Sequence, residues 1–336
     1  MKEIRRIQVT GGSTYIVSLP KKWVLKYGLK RGDPVVLLYD GNKLVITPEE
    51  VEEEAVVEYR ISRDNEVNEI IRQVISYYLA GYDVIRVLFG EPWEDLRVTI
   101  KKIIRKKMIG FEVTSEGPDY IEIRSLMKHG ELPLSAAIRR LFELTNLILN
   151  NVILVMRDFD KHGAENIIIQ DDDVDRLYLY IVRTIRYRIS HVGFHVEEVI
   201  EPYEYVIYNM IVKALERIAD HAVRIAHMIK IMSNRPPTVI YENMMNLLWM
   251  AAETFLCAKD AFYRKDVHMA NTVINSVKKI VARETELVRS LERIKQPIHM
   301  AILCRITMES IRRISEYAAD IGEMIVDLLT TPPKPG

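Results

Sequence analysis

The stretch from Leu132 to Leu329 constrains this chain most: its apolar side chains recur at three- and four-residue steps, and the pattern repeats once. The spacing predicts three antiparallel helices over Leu134–Arg157, Ala164–Ile189 and Val199–Met232. Three more follow over Val239–Arg264, Val267–Glu292 and Pro297–Leu329. Ser233-Asn234-Arg235-Pro236-Pro237 breaks the pattern between the two sets. An amphipathic helix must bury its apolar stripe, and three lying side by side do so as a bundle. The expectation is therefore two tandem three-helix bundles, over 131–235 and 236–331. The most apolar stretches, Leu147–Met156 and Met244–Ala258, are interrupted by Asn or Glu. They fall short of the roughly 20 apolar residues that a bilayer crossing needs, so no membrane insertion is expected.

Two shorter segments precede the helices. Residues 51–130 alternate strand and helix signals: Glu54–Ile61, Asn65–Ala80, Asp83–Phe89, Pro92–Met108, Phe111–Thr114 and Tyr120–Arg124. That order predicts a small βαβαββ module. Residues 1–50 carry short strands around one small helix, Lys21–Tyr27, with turns at Gly11-Gly12-Ser13 and Gly32-Asp33 and a hairpin signal at Asp40-Gly41. A segment of that size cannot close a core alone, so two copies must share one. The fold class expected is multidomain α+β.

Charge and cysteine usage narrow the function. Lys plus Arg equals Asp plus Glu at 47 each, so any basic surface is local. Cys257 and Cys304 are far apart in helical patterns and read as free thiols in a reducing cytoplasm. Met1–Arg6 is basic, but Ile7–Ser18 is polar and broken by glycine, unlike a secretory signal.

The residues that carry chemistry are acids on the bundle helices. Ile211, Leu215, Ile218, Ala222, Ile225 and Ile229 form one apolar stripe. Glu216 and Asp220 lie one turn apart on its flank, with His227 near the same line. Stacked carboxylates need positive charge nearby, supplied either by Arg217 or Arg224 or by a metal ion with oxygen ligands. Asp171-Asp172-Asp173-Val174-Asp175 puts Asp171 and Asp175 one turn apart at the edge of another stripe; acids capping a helix start are the competing reading. Glu316 and Asp320 repeat the spacing in the second half, although Arg312 stands where Glu216 does. There the preceding helix has Lys278, Lys279, Arg283 and Glu284 where acids are expected.

Other patterns are weaker. His191 and His195 are spaced for zinc, but Gly193 between them favours a loop. No acid stands three residues before any His, which argues against the di-iron oxidase pattern, and no phosphate-cradling Gly-rich loop is present. The basic run Lys101, Lys102, Arg105, Lys106, Lys107 reads as a solvated helix face more readily than as a DNA contact.

Glu216-Arg-Ile-Ala-Asp-His-Ala-x-x-Ile-Ala226 closely resembles the helix that marks each repeat of the PhoU family of phosphate-signalling proteins. The resemblance implies paired three-helix bundles whose acids hold iron or zinc, in multinuclear clusters able to take phosphate as a further ligand. On that basis Asp171, Asp175, Glu216, Asp220, Glu316 and Asp320 are candidate metal ligands. The implied partners are a phosphate-transporter ATPase and a sensor kinase.

Gly11-Gly12-Ser13-Thr14, Ser18-Leu19-Pro20-Lys21 and Gly28-Leu29-x-x-Gly32-Asp33 resemble the AbrB/SpoVT/MazE swapped-hairpin domain, in which two protomers interleave into one DNA-binding barrel. Val24 stands where that family often has Arg. The resemblance, together with the local excess of basic residues, makes Arg5, Arg6, Ser13, Thr14, Lys21 and Lys22 candidate DNA contacts. The expected protein is thus a cytoplasmic homodimeric regulator of phosphate uptake, and not an enzyme. A metal-free helical scaffold and a carboxylate-cluster metalloenzyme are the alternatives.

Overall fold

The computed structural model describes residues 3–40, 43–49, 54–62, 64–90, 93–127, 131–190, 200–294 and 296–330. The chain parts into two compact units, Met1–Glu54 and Ala55–Gly336. His191, Gly193 and His195 lie outside the described residues.

In the first unit β1 (Gln8–Thr10) and β2 (Thr14–Ile16) pair antiparallel, with Thr10 opposite Thr14. The tight reversal between them needs positive φ at Gly11 (60°) and Gly12 (83°), which explains the glycine pair. The helix α1 (Lys21–Lys26) starts after Pro20 and stops at Gly28, whose φ is 64°. Strands β3 (Val35–Asp40) and β4 (Lys43–Pro48) pair antiparallel with Asp40 opposite Lys43, as a hairpin requires, although Gly41 itself is outside the described residues. None of the residues of this unit whose side chains are described is buried, and Ile4, Ile7, Tyr15, Leu25, Leu37 and Leu44 are exposed.

The second unit opens with a four-stranded sheet of order β5-β6-β8-β7, from β5 (Val56–Ile61), β6 (Val84–Phe89), β7 (Phe111–Glu116) and β8 (Tyr120–Ser125). β5 and β6 run parallel, joined through α2 (Val67–Ala80); the other pairings are antiparallel. α3 (Glu94–Lys107) follows β6, completing the expected βαβαββ order. Ile70, Val74 and Tyr78 of α2 and Leu96, Ile100 and Ile104 of α3 are buried in one core with Ile85, Val87, Ile121 and Ile123 of the sheet.

Among the described residues six long helices follow: α4 (Leu134–Asp158), α5 (Lys161–Ser190), α6 (Pro202–Ile231), α7 (Thr238–Arg264), α8 (Val267–Arg293) and α9 (Ile298–Leu329). Each triplet packs on itself, and α6 against α9 together with α4 against α7 joins the triplets. One continuous apolar core runs through both, with the Phe142 ring 6.3 Å from that of Phe255. The repeat extends to the corners. α4 ends at Phe159 and α7 at Lys265, both left-handed (φ 55° and 53°), and an Asp follows each. Asp160 accepts from the His162 amide, and Asp266 from those of His268 and Met269. The sheet module rests on α5 through α2 and α3. There the buried Arg183 donates to the Tyr78 carbonyl and pairs with Asp83 at 3.3 Å, its guanidinium 5.1 and 4.9 Å from the Tyr78 and Phe111 rings.

Candidate metal centre

The stripe Ile211, Leu215, Ile218, Ala222, Ile225 and Ile229 is fully buried, which fixes the rotation of α6 and leaves Glu216 and Asp220 at the packed flank. Burial of Val174, Leu177 and Ile181 does the same for α5 and turns Asp171 and Asp175 toward α6. Asp171, Asp175 and Asp220 each offer one carboxylate oxygen, and the three lie within 4.8 Å of one another. Glu216 is close enough to push the titration of both Asp171 and Asp220 upward, but Lys213 engages both of its oxygens at 2.7 Å. Arg217 lies 3.8 Å from Glu216 and 4.0 Å from Asp220.

The acids near the start of the sequence pattern of α5 are not caps. α5 begins at Lys161, so Asp171 sits almost three turns inside the helix, where the macrodipole offers it little. Burial, then the charges of Asp175 and Asp220, push its carboxyl up to about 7. Burial, then Glu216 and Asp175, push Asp220 up to about 6. Asp171 Oδ1 is buried and accepts no hydrogen bond. A buried acceptor without a donor costs roughly 1–3 kcal/mol, and a cation removes that cost.

The donor set tests the fit. Three carboxylate oxygens with no Cys or His among them suit a hard, oxygen-ligated divalent ion. They fit one ion. Glu216 and Asp172, which a multinuclear cluster would also use, are paired with lysines, as Asp175 of the trio is with Lys107. His227 is exposed and outside the trio. The His221 ring stacks on Tyr317 of α9 with centroids 5.8 Å apart; burial, with Arg224 and Arg313 nearby, pushes its pKa down to about 4.

The basic run of α3 is partly the solvated face expected, with Lys102, Arg105 and Lys106 exposed, and partly paired with acids. Lys106 pairs with Asp172 at 2.5 Å, Lys107 contacts Asp175, and Lys101 reaches Glu116 at 2.6 Å. Nothing in the sequence said which acids these lysines meet.

In the second bundle Glu316 and Asp320 join no third ligand among the described residues. Arg312 and Arg313 neutralise Glu316, the latter at 3.0 Å. Arg312 also faces the buried Glu284 at 3.8 Å, and Arg305 holds Glu284 at 2.6 Å. Arginines thus neutralise Glu284 and Glu316. Burial, with Glu323 and Glu316, raises the Asp320 carboxyl.

In the first unit Ser13 and Thr14 stand at the β1–β2 reversal and Lys21 and Lys22 in the first turn of α1. These four, with Arg5 and Arg6, are exposed, and Arg5 pairs with Glu3 at 2.5 Å.

Residues 8–54 match the family model for antidote-toxin recognition MazE, bacterial antitoxin. Residues 138–229, which contain Asp171, Asp175 and Asp220, match the PhoU domain. Two similar solved structures are PhoU from Pseudomonas aeruginosa (TM-score 0.53, 19% identity) and the phosphate transport system regulatory protein PhoU from Streptococcus pneumoniae (0.52, 18%). Each aligns over 58% of this chain and over 94% and 92%, respectively, of its own. No curated protein matches the sequence. The chain therefore joins a MazE-type segment and a sheet module to helices with the PhoU fold.

Proposed function

We propose that this protein is a phosphate-responsive regulator rather than an enzyme, built from a DNA-binding dimerisation unit and a cation-binding helical unit. The convergence of Asp171, Asp175 and Asp220, one of them with a buried oxygen that accepts nothing, is the observation that carries the reading. These three residues would hold one divalent cation, iron or zinc, with Glu216 shaping the field around it. Bound there, the ion supplies an electrophilic position that phosphate can occupy as a further ligand.

The exposed apolar residues of the first unit support a homodimer in which two copies complete one core. Arg5, Arg6, Lys21 and Lys22 would then grip phosphates of operator DNA, with Ser13 and Thr14 beside them. The likeness to PhoU proteins supports output toward a phosphate-transporter ATPase or a sensor kinase, and the MazE-type segment supports output to transcription of uptake genes. No helix among the described residues is long and apolar enough to cross a membrane, which is compatible with a cytoplasmic site of action.

Two measurements on the full-length protein test this. Elemental analysis after dialysis should find a divalent metal that Asp171→Asn plus Asp220→Asn removes. Footprinting on upstream DNA at high and low phosphate should give protection that Arg5→Ala plus Lys22→Ala abolishes. Protection unchanged by that pair rejects the DNA reading. Absence of metal favours a metal-free helical scaffold, a reading that the Lys213 and Lys107 contacts also support.

A further inference from the structure

We propose that Lys107 is a resident counter-ion of the Asp171–Asp175–Asp220 site, so that a divalent cation enters only as the last turn of α3 lets go of α5. This rests on the cation reading above and adds a role for the sheet module, which lies outside residues 138–229 matched by the PhoU domain model. The Lys107 ammonium contacts Asp175, a member of the trio, and both side chains are only about a quarter exposed (23% and 24%). Lys106 holds Asp172, so two consecutive lysines reach two acids one turn apart on α5.

These lysines are delivered by a packed module. Leu96, Ile100 and Ile104 bury α3 in the module core, and Lys101 ties it to Glu116 of β7. Arg183, two turns beyond Asp175, clamps the same module to α5 through Tyr78 and Asp83. Release of Lys107 therefore leaves the module attached elsewhere. The trio oxygens lie within 4.8 Å of one another, so an ion among them would sit a few ångströms from an ammonium still on Asp175. Two like charges at that distance in a half-buried site repel strongly, and ion and ammonium also want the same carboxylate. They compete, and by linkage whatever weakens the lysine contact tightens the ion. Cation occupancy is thereby reported to α3 and the sheet behind it.

The test uses Mn2+ as the probe, titrated calorimetrically into full-length wild type, Lys107→Met and Lys107→Arg after stripping with chelator. Lys107→Met should bind Mn2+ on the order of fivefold more tightly, the scale of one partly exposed ion pair, and Lys107→Arg should stay near wild type. In the wild type, which needs no variant to fold, Mn2+ should speed amide exchange in residues 104–108. Equal or weaker affinity in Lys107→Met, with unchanged exchange in α3, overturns the competition while leaving the cation site standing. If wild type and both variants all fail to bind Mn2+, the cation reading falls and this inference with it.

Discussion

Asp171 concentrates the physical problem of this protein in one side chain: a carboxylate in mid-helix, half-buried, beside two other acids and with one oxygen accepting nothing. Its raised pKa fixes the sign of a pH effect. An acid whose pKa is higher folded than unfolded binds more protons in the folded state, so stability falls as pH climbs between the two values. For Asp171 the window runs from the ordinary aspartate value to about 7, and for Asp220 to about 6. In chelator, melting temperature should therefore drop between pH 5 and 7.5, above the range where the ion-paired acids of the surface titrate. Allowing for solvent screening, about 1 kcal/mol is at stake, roughly 2–4 °C for a domain of this size. Asp171→Asn should flatten the slope and Mn2+ should reverse it. A flat profile for the wild type would mean that the acids are not crowded as described.

At the scale of elements, corresponding helices of the two bundles solve the same charge problem differently. α5 and α6 gather acids, while α8 and α9 interleave them with arginine. Glu284 is 5% exposed and holds the half-exposed Arg305, while Arg312 keeps Glu316 as a partner, so Glu284→Ala should cost about 1–2 kcal/mol by denaturant unfolding. The cost should be the same with and without divalent cation, because no ion is needed there. The corner after α7 offers a gain instead. Lys265 is exposed and left-handed at φ 53°, so Lys265→Gly should stabilise by about 0.5 kcal/mol, the relief of φ strain less the added chain entropy. A melting temperature that falls would show that the corner depends on the lysine side chain.

For the whole molecule, the contrast is between a second unit with one long core and a first unit without a buried residue among those whose side chains are described. Sedimentation of the full chain should therefore give a dimer, and Leu37→Asp, at an exposed apolar position of β3, should shift it toward monomer at micromolar concentration. A wild type that stays monomeric at all concentrations would require another cover for that surface. DNA affinity should weaken with the dimer, since two units present twice the basic charge of one.

The sequence by itself determined the elements and the fold class. Helix periodicity placed all six long helices to within a few residues at each end, because an apolar stripe at that spacing has only one way to be buried. The strand–helix order of the sheet module and the Asp171/Asp175 and Glu216/Asp220 turns were legible for the same local reason. Which acids meet was not. Helix rotation and packing brought Asp171, Asp175 and Asp220 together, gave Glu216 to Lys213, and set Lys106 and Lys107 of a distant helix on the α5 acids. Coulomb energy depends on distances of a few ångströms between residues remote in the chain, and only the packed tertiary structure sets those distances.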